Sequence, residues 1–456
     1  MLGAAAAFLR TLRLATPKIG VGWMFALLTI DFNRIAIVEM GVTAVVVTSM
    51  LAMHYFLSPF QVIVGRLADV KPIAGYRRTP YMFMGAVAAS AVFVALPTVA
   101  EAMGTGSIIW TLIGFVLFAV FGVAMAFLGD CYHSMIAEIT DEETRGGVIS
   151  VVWIVTILST ILAAVVMNAV RPEYTPEAMQ TLYNLTPFIV IGSLIIGVAG
   201  VEKRLTSEEA EETRVRALAV AKEGNPLSAA LRLLQENPQT RGFFAFIFIA
   251  IFGIFLQDNI LEVFGAEVFD FSVAETTQFQ PMWGGGVLLG MIVMGIVSVK
   301  TSLSKKKIAL AGCLGISVGM FVLALSAMFE LSALIKPTLF AMGIFTGAFN
   351  VGALAMMMDM TVEGATGMYM GLWGVAQAFG TGFSSVGSGF LHTGLVESGL
   401  LAPKFAYTGI FLLEAAGMLL AVAVLHKISV RRFREYHASG LTRSDFERAM
   451  EAGSVA

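Results

Sequence analysis

Apolar residues fill this chain in blocks of about 20, separated by short polar breaks, and blocks of that length match the roughly 20 residues a helix needs to cross a ~30 Å hydrocarbon layer. Twelve blocks can be counted, at residues 19–38, 42–64, 80–100, 107–130, 147–169, 183–201, 242–263, 281–299, 308–329, 337–358, 367–391 and 406–425. The pattern predicts an all-α integral membrane protein. The longest polar stretch, 203–241, divides the blocks six and six. The chain therefore reads as an N-terminal six-helix bundle (1–202), a linker (203–241), a C-terminal six-helix bundle (242–426) and a tail (427–456). In the linker, TSEEAEETRVRALAVAKEG predicts a surface helix with an acidic first turn that stops at Gly224. Pro226 then opens a second helix with Leu227, Leu231 and Leu234 on one face.

The two halves repeat. AEITDEETRGGV follows the fourth block and MDMTVEGATGMY the tenth, which aligns Glu138 with Asp359, Thr140 with Thr361, Glu142 with Glu363 and Gly146 with Gly367. A weaker echo pairs Glu39 in IVEMG with Glu262 in ILEVFG. Repeated bundles around a linker predict a pseudo-symmetric, two-bundle transporter architecture with a cavity between the bundles. Glycines in the eighth and eleventh blocks, such as Gly286 with Gly290, offer faces for close helix approach or room for a flat ligand.

Charge sets the expected orientation. If both termini are cytoplasmic, 25 of the 29 Lys and Arg fall on the cytoplasmic side, with Arg171, Lys336 and Lys404 in outer loops and Arg34 inside a block. The N-terminal MLGAAAAFLRTLRLATPKIG places its basic residues after its apolar ones, so it reads as an amphipathic surface segment and not as a cleaved signal. With 57% hydrophobic and 13% charged residues and a mean hydropathy of +0.82, the lipid bilayer is the chain's solvent. A net charge of −3 leaves no basic face for a nucleic acid. Cys131 and Cys313 lack metal or disulfide spacing, and no hydrolase, kinase or dinucleotide signature occurs, so no enzyme is expected.

The stretch ALLTIDFNRIAIVEMG sets Asp31, Arg34 and Glu39 in the first block. At ~100° per helical residue Asp31 and Arg34 are about 60° apart and are expected to pair, whereas Arg34 and Glu39, about 140° apart, are not. Counting ~1.5 Å per residue puts Asp31 ~18 Å deep and Glu39 at the outer interface. Glu138 and Glu262 likewise read as block ends, with Asp359 close to one, which leaves Asp31, Asp130, Asp258 and Glu414 as the buried carboxylates.

Between the second and third blocks, GRLADVKPIAGYRRTP spaces Gly65, Asp69, Gly75, Arg77 and Arg78 in a way that resembles the conformational-clamp loop of the major facilitator superfamily. The second half keeps basic residues in SVKTSLSKKKIA but has no aspartate there. NRIAIVEMGV, SPFQVIVGRLAD, GYRRTPYMFMG, FLGDCYHSMIAEITDEETRGGVISVVW and FLQDNILEVFGAEVF together resemble the PucC-like family of that superfamily, over essentially the whole chain. Val70 and Lys71 depart from the family's loop, which has a hydroxyl residue and a His there. The resemblance implies a non-enzymatic assembly factor in a bacterial inner membrane, cytoplasmic or photosynthetic intracytoplasmic. It would bind bacteriochlorophyll or chlorophyll and deliver it to nascent light-harvesting antenna polypeptides. A proton-coupled transporter of a small solute is the alternative. A magnesium macrocycle could take a neutral imidazole as axial ligand, and the membrane histidines are His54, His133 and His392. His133 ranks first because Asp130, in the same GDCYHS string, could orient its ring. Interhelical hydrogen bonding is the other role open to each of the three.

Overall fold

The computed structural model describes residues 2–57, 61–140, 142–171, 173–222, 234–235, 237–301, 303–361 and 366–440. Among them nearly everything is helix, and the only β pairing is an isolated bridge between Ile73 and Tyr76. Glu363, most of the second linker helix expected after Pro226, and the tail beyond Gly440 lie outside the described residues.

The first half comprises α1 (Leu2–Ala15), α2 (Pro17–Ala26), α3 (Ala44–Leu57), α4 (Gln61–Val70), α5 (Thr79–Gly104), α6 (Ile108–Ile139), α7 (Glu142–Val170), α8 (Pro176–Tyr183) and α9 (Thr186–Val198). After α10 (Ser207–Lys222) in the linker, the second half runs α11 (Pro238–Phe255), α12 (Leu261–Phe269), α13 (Val273–Thr276), α14 (Phe279–Lys300), α15 (Lys305–Phe329), α16 (Ile335–Asp359), α17 (Thr366–His392), α18 (Pro403–Lys427) and α19 (Val430–Gly440). Ten of the described helical runs are long and apolar enough to cross a membrane. Helix also occupies the second and eleventh expected positions, as α3 and α17. We call the face that carries the 71–78 loop, the linker and α19 the basal face, and its opposite the far face.

Sequence chemistry explains the ends of these helices. Asn237 accepts backbone N–H groups of Gln239 and Thr240 to start α11, and Ser304 accepts from Lys307 to start α15. On the basal face Glu202 does more: its carboxylate accepts the backbone N–H of Arg77, Arg78 and Thr79 at 2.6–2.8 Å, tying the end of the first half to the start of α5. Glu209 likewise accepts from the Thr206 backbone and side chain and from Lys203 at the start of α10, and these bonds hold its carboxyl down to about 2.

Two hydrophobic cores form, one in each half, and Val263 and Val273 of the second half pack into the first. Glycines let α14 and α16 touch backbone to backbone: a Cβ on Gly286 or Gly290 would strike the Phe340 or Ile344 carbonyl, and one on Gly343 or Gly347 would strike the carbonyl of Trp283 or Val287. The start of the expected tail is structural, because Phe433 of α19 is buried in the second core against Tyr369.

Two departures from regular helix shape the interior. Beyond α2 the chain winds as π-helix over Leu27–Phe32 and Ile35–Glu39, and the seventh span breaks at Leu256–Ile260 before resuming as α12.

Candidate functional site

The basal loop forms a charged clamp. Arg78 reaches Asp69 at 2.7 Å and Glu138 at 2.8 Å, while Arg77 reaches Glu138 at 2.9 Å and Asp69 at 3.5 Å. These four residues bind α4, α5 and α6 together. Ala74 and Gly75 take positive φ, of 54° and 83°, to turn the loop, and the Gly75 carbonyl accepts the Leu205 N–H at 2.8 Å. Gly65, the other loop glycine, lies in α4. In the second half Lys305, opening α15, pairs with Asp359, closing α16, at 2.8 Å. The aligned carboxylates Glu138 and Asp359 therefore do one job in both halves: each binds a cation at the start of the helix before its own.

At the far ends of the spans the structure corrects three expectations. Asp31 pairs with Arg171, not with Arg34, and both side chains are buried. Arg171, the first residue after α7, lies beyond the span as expected but turns its side chain into the bundle. Arg34 instead holds Glu39 at 2.7 Å and the Phe271 carbonyl at 3.2 Å. The reason is the π-helix, whose i→i+5 bonding stacks residues five apart on one face, where 100° per residue would separate them. The third correction is Glu262, expected at the membrane surface but fully buried with neither carboxyl oxygen hydrogen-bonded. The break at 256–260 lets the seventh span continue through α12, which carries Glu262 inward of the expected end.

All hydrogen bonds between the halves among the described residues sit toward the far face. Asn33 donates to the Asn259 carbonyl at 3.0 Å, and Arg34 reaches Phe271. Asn168 donates to the Ala274 carbonyl at 3.5 Å, while Glu397 and Thr393 accept the N–H groups of Ala44 and Val45 at 2.7 and 3.1 Å. Below these ties lies a chain of rings across the interface. Phe56 of α3 meets Phe379 and Phe383 of α17, Phe383 meets Phe248 of α11, and Phe248 stacks on Phe252. Phe255 packs on Trp283, whose indole N–H is buried without a partner. Little in this sequence set these rings apart from the chain's 34 Phe; only the fold gathers them.

The histidines separate by what already binds them. His54 is buried among Phe25, Tyr55 and Phe121, with Nδ1 2.8 Å from the Leu51 carbonyl. That contact assigns the proton to Nδ1 and leaves Nε2 a free lone pair, and no partner meets it. His133 does not have Asp130 as its partner; its Nε2 lies 3.4 Å from Lys18 Nζ, because Asp130 faces the charges of the basal clamp. His392 is held between Glu267 at 2.9 Å and Glu397 at 3.5 Å, and Tyr407 donates to the same Glu267 oxygen. His54, which the sequence ranks below His133, is thus a buried, ring-enclosed imidazole with Nε2 open.

The family described as "PUCC protein" matches residues 31–433. The chain is 29% identical to the "Bacteriochlorophyll synthase 44.5 kDa chain" of Rhodobacter capsulatus, over 84% of this chain and 87% of that protein. It is 25% identical to "Protein PucC" of the same organism over 91% of each. Among solved structures, a POT family transporter in complex with 5-aminolevulinic acid superposes with a TM-score of 0.66 at 12% identity, covering 92% of this chain and 96% of that one. A D-xylose-proton symporter superposes with a TM-score of 0.64 at 14% identity, covering 90% and 96%. These structures share the major facilitator fold with this chain.

Proposed function

The chain belongs to the PUCC protein family, and on that premise we propose that it is a membrane carrier, not an enzyme, that binds (bacterio)chlorophyll and passes it to nascent light-harvesting antenna polypeptides. The observation that carries this reading is the ring chain between the bundles; His54, turned from the same helix into the first bundle, adds an imidazole whose Nε2 meets no hydrogen-bond partner. Flat apolar macrocycles bind by large-area contact with aromatic faces, and magnesium takes an imidazole nitrogen as axial ligand once the other ring nitrogen is fixed by a hydrogen bond. His54 is packed among rings on three sides, so axial ligation requires α3 to shift against α6. The reading also has support from relatives named for bacteriochlorophyll synthesis and for PucC, both from a phototrophic genus.

The basic residues gathered at the basal face support placing that face, with both termini, in the cytoplasm of a bacterial inner membrane. The test is a chromosomal deletion in a phototrophic host, with antenna absorbance as the readout. Loss of one antenna's absorbance, restored by the intact gene and only weakly by a His54→Leu gene, supports the reading. Antenna levels unchanged by the deletion would sink it.

A further inference from the structure

We propose that the second half of the basal face, centred on α19, is a docking surface for anionic phospholipid headgroups. This goes beyond pigment delivery and does not depend on the cargo. The two halves engage their basal cations differently. In the first half and the linker, Arg77 and Arg78 are matched by Asp69 and Glu138, Lys203 by Glu209 and Arg214 by Glu211, while Arg13 and Arg204 donate to backbone carbonyls. Exposed Glu208 and Glu212 of α10 add further negative charge there. In the second half Lys305 is matched by Asp359 and Arg431 by Glu435, and Lys306 donates to the His426 and Ile428 carbonyls. Lys307, Lys427, Arg432 and Arg434 are exposed and meet no acidic side chain among the described residues.

Packing holds these charges at the level of the headgroups. The chain leaves α18 at Lys427 and resumes helix at Val430. The Ser429 N–H donates to Gln239 in the first turn of α11 at 2.8 Å, and Phe433 is buried against Tyr369 in the first turn of α17. With those two ties α19 lies across the basal ends of both spans and does not project away from them. Arg432 and Arg434 flank the buried Phe433 and are long enough to reach a phosphate while their stems cover apolar surface. Leu419 and Leu420 of α18, both more than half exposed, lie ~10–12 Å up the helix from Lys427 at ~1.5 Å per residue. A surface that faces acyl chains therefore runs directly into the unmatched cations, which is the order of chemistry in a phospholipid. An anionic leaflet concentrates at such a juxtamembrane basic cluster. A soluble acidic protein segment would meet the same charges but would leave that continuity unused.

The experiment uses the full chain in nanodiscs of phosphatidylcholine with a minor share of phosphatidylglycerol, and native mass spectrometry of the lipids that stay bound when the disc is released. The unmodified chain should retain phosphatidylglycerol in preference to phosphatidylcholine, more strongly at low salt. Joint Lys427→Gln, Arg432→Gln and Arg434→Gln should cut that preference more than tenfold, at about fivefold per surface charge, whereas Lys427→Arg, Arg432→Lys and Arg434→Lys together should keep it. Joint Lys71→Gln, Lys203→Gln and Arg214→Gln, on the first half and linker, should leave it unchanged. A second measurement needs no variant: amide exchange over residues 430–435 should slow when phosphatidylglycerol is added to phosphatidylcholine discs. No preference between the lipids overturns the proposal, as does one that survives the α19 glutamines or falls equally with the first-half set. Exchange over 430–435 that ignores phosphatidylglycerol also overturns it. An oligoglutamate peptide that displaces the retained phosphatidylglycerol would assign the face to an acidic protein segment instead.

Discussion

Asp31 and Arg171 bury a full charge pair between α7 and the π-helical end of the first span. Removing one partner of a buried pair leaves the other charge uncompensated and costs about 3–5 kcal/mol. Arg171→Leu should therefore lower the thermal midpoint and folded yield in detergent, and the double variant Asp31→Leu with Arg171→Leu should recover much of the loss. Arg34→Leu should cost less, because Glu39 keeps 31% of its side-chain surface and can be solvated. Equal losses for Arg34→Leu and Arg171→Leu would contradict this pairing. Sequence spacing misassigns the pair for a definite reason: it presumes 3.6 residues per turn, and nothing in LLTIDF or IAIVE announces a π-turn. Arg171 lies beyond the end of α7, where the sequence places it, but spacing does not show that the tertiary fold buries its side chain against Asp31.

Helix contacts were legible where small residues recur and illegible where a distant side chain supplies a cap. Gly286 and Gly290 mark the contact with α16, and Gly290→Leu should separate α14 from α16 and abolish folding, measured as monodisperse yield in detergent. Gly371→Ala, with open space at its Cβ position, is the control and should be neutral or slightly stabilising. Glu202 gave no sequence signal as a cap, because the three N–H groups it satisfies lie more than 120 residues away. Glu202→Ala should destabilise by about 1–2 kcal/mol, read as faster amide exchange at the start of α5. For Glu209 the sign follows from its depressed carboxyl: its capping of α10 persists above the ordinary carboxylate range and disappears as pH falls through about 2. Protection factors at Thr206 and Glu209, corrected for intrinsic exchange, that are already lost well above that pH would contradict the cap.

For the molecule as a whole, block length and the repeat about the linker made the two-bundle fold readable, since a bilayer constrains helix length and satisfies no backbone polar group. The resemblance of NRIAIVEMGV and FLGDCYHSMIAEITDEETRGGV to one family pointed to the same group as residues 31–433. The candidate site was less legible. Which rings meet between bundles, and which histidine is enclosed by rings, depend on packing that periodicity does not encode. Adjacency in GDCYHS favoured His133, but Asp130 lies beside the Arg78 and Asp69 charges of the basal clamp while Lys18 reaches His133 from α2. The central claim is that the protein receives a magnesium macrocycle and that His54 supplies its imidazole. Its most direct test is the absorption spectrum of the full-length protein, gently solubilised and purified from cells that make bacteriochlorophyll. The account predicts a stoichiometric near-infrared band that weakens severalfold in His54→Leu and persists in His133→Leu; a folded protein with no such band would contradict it.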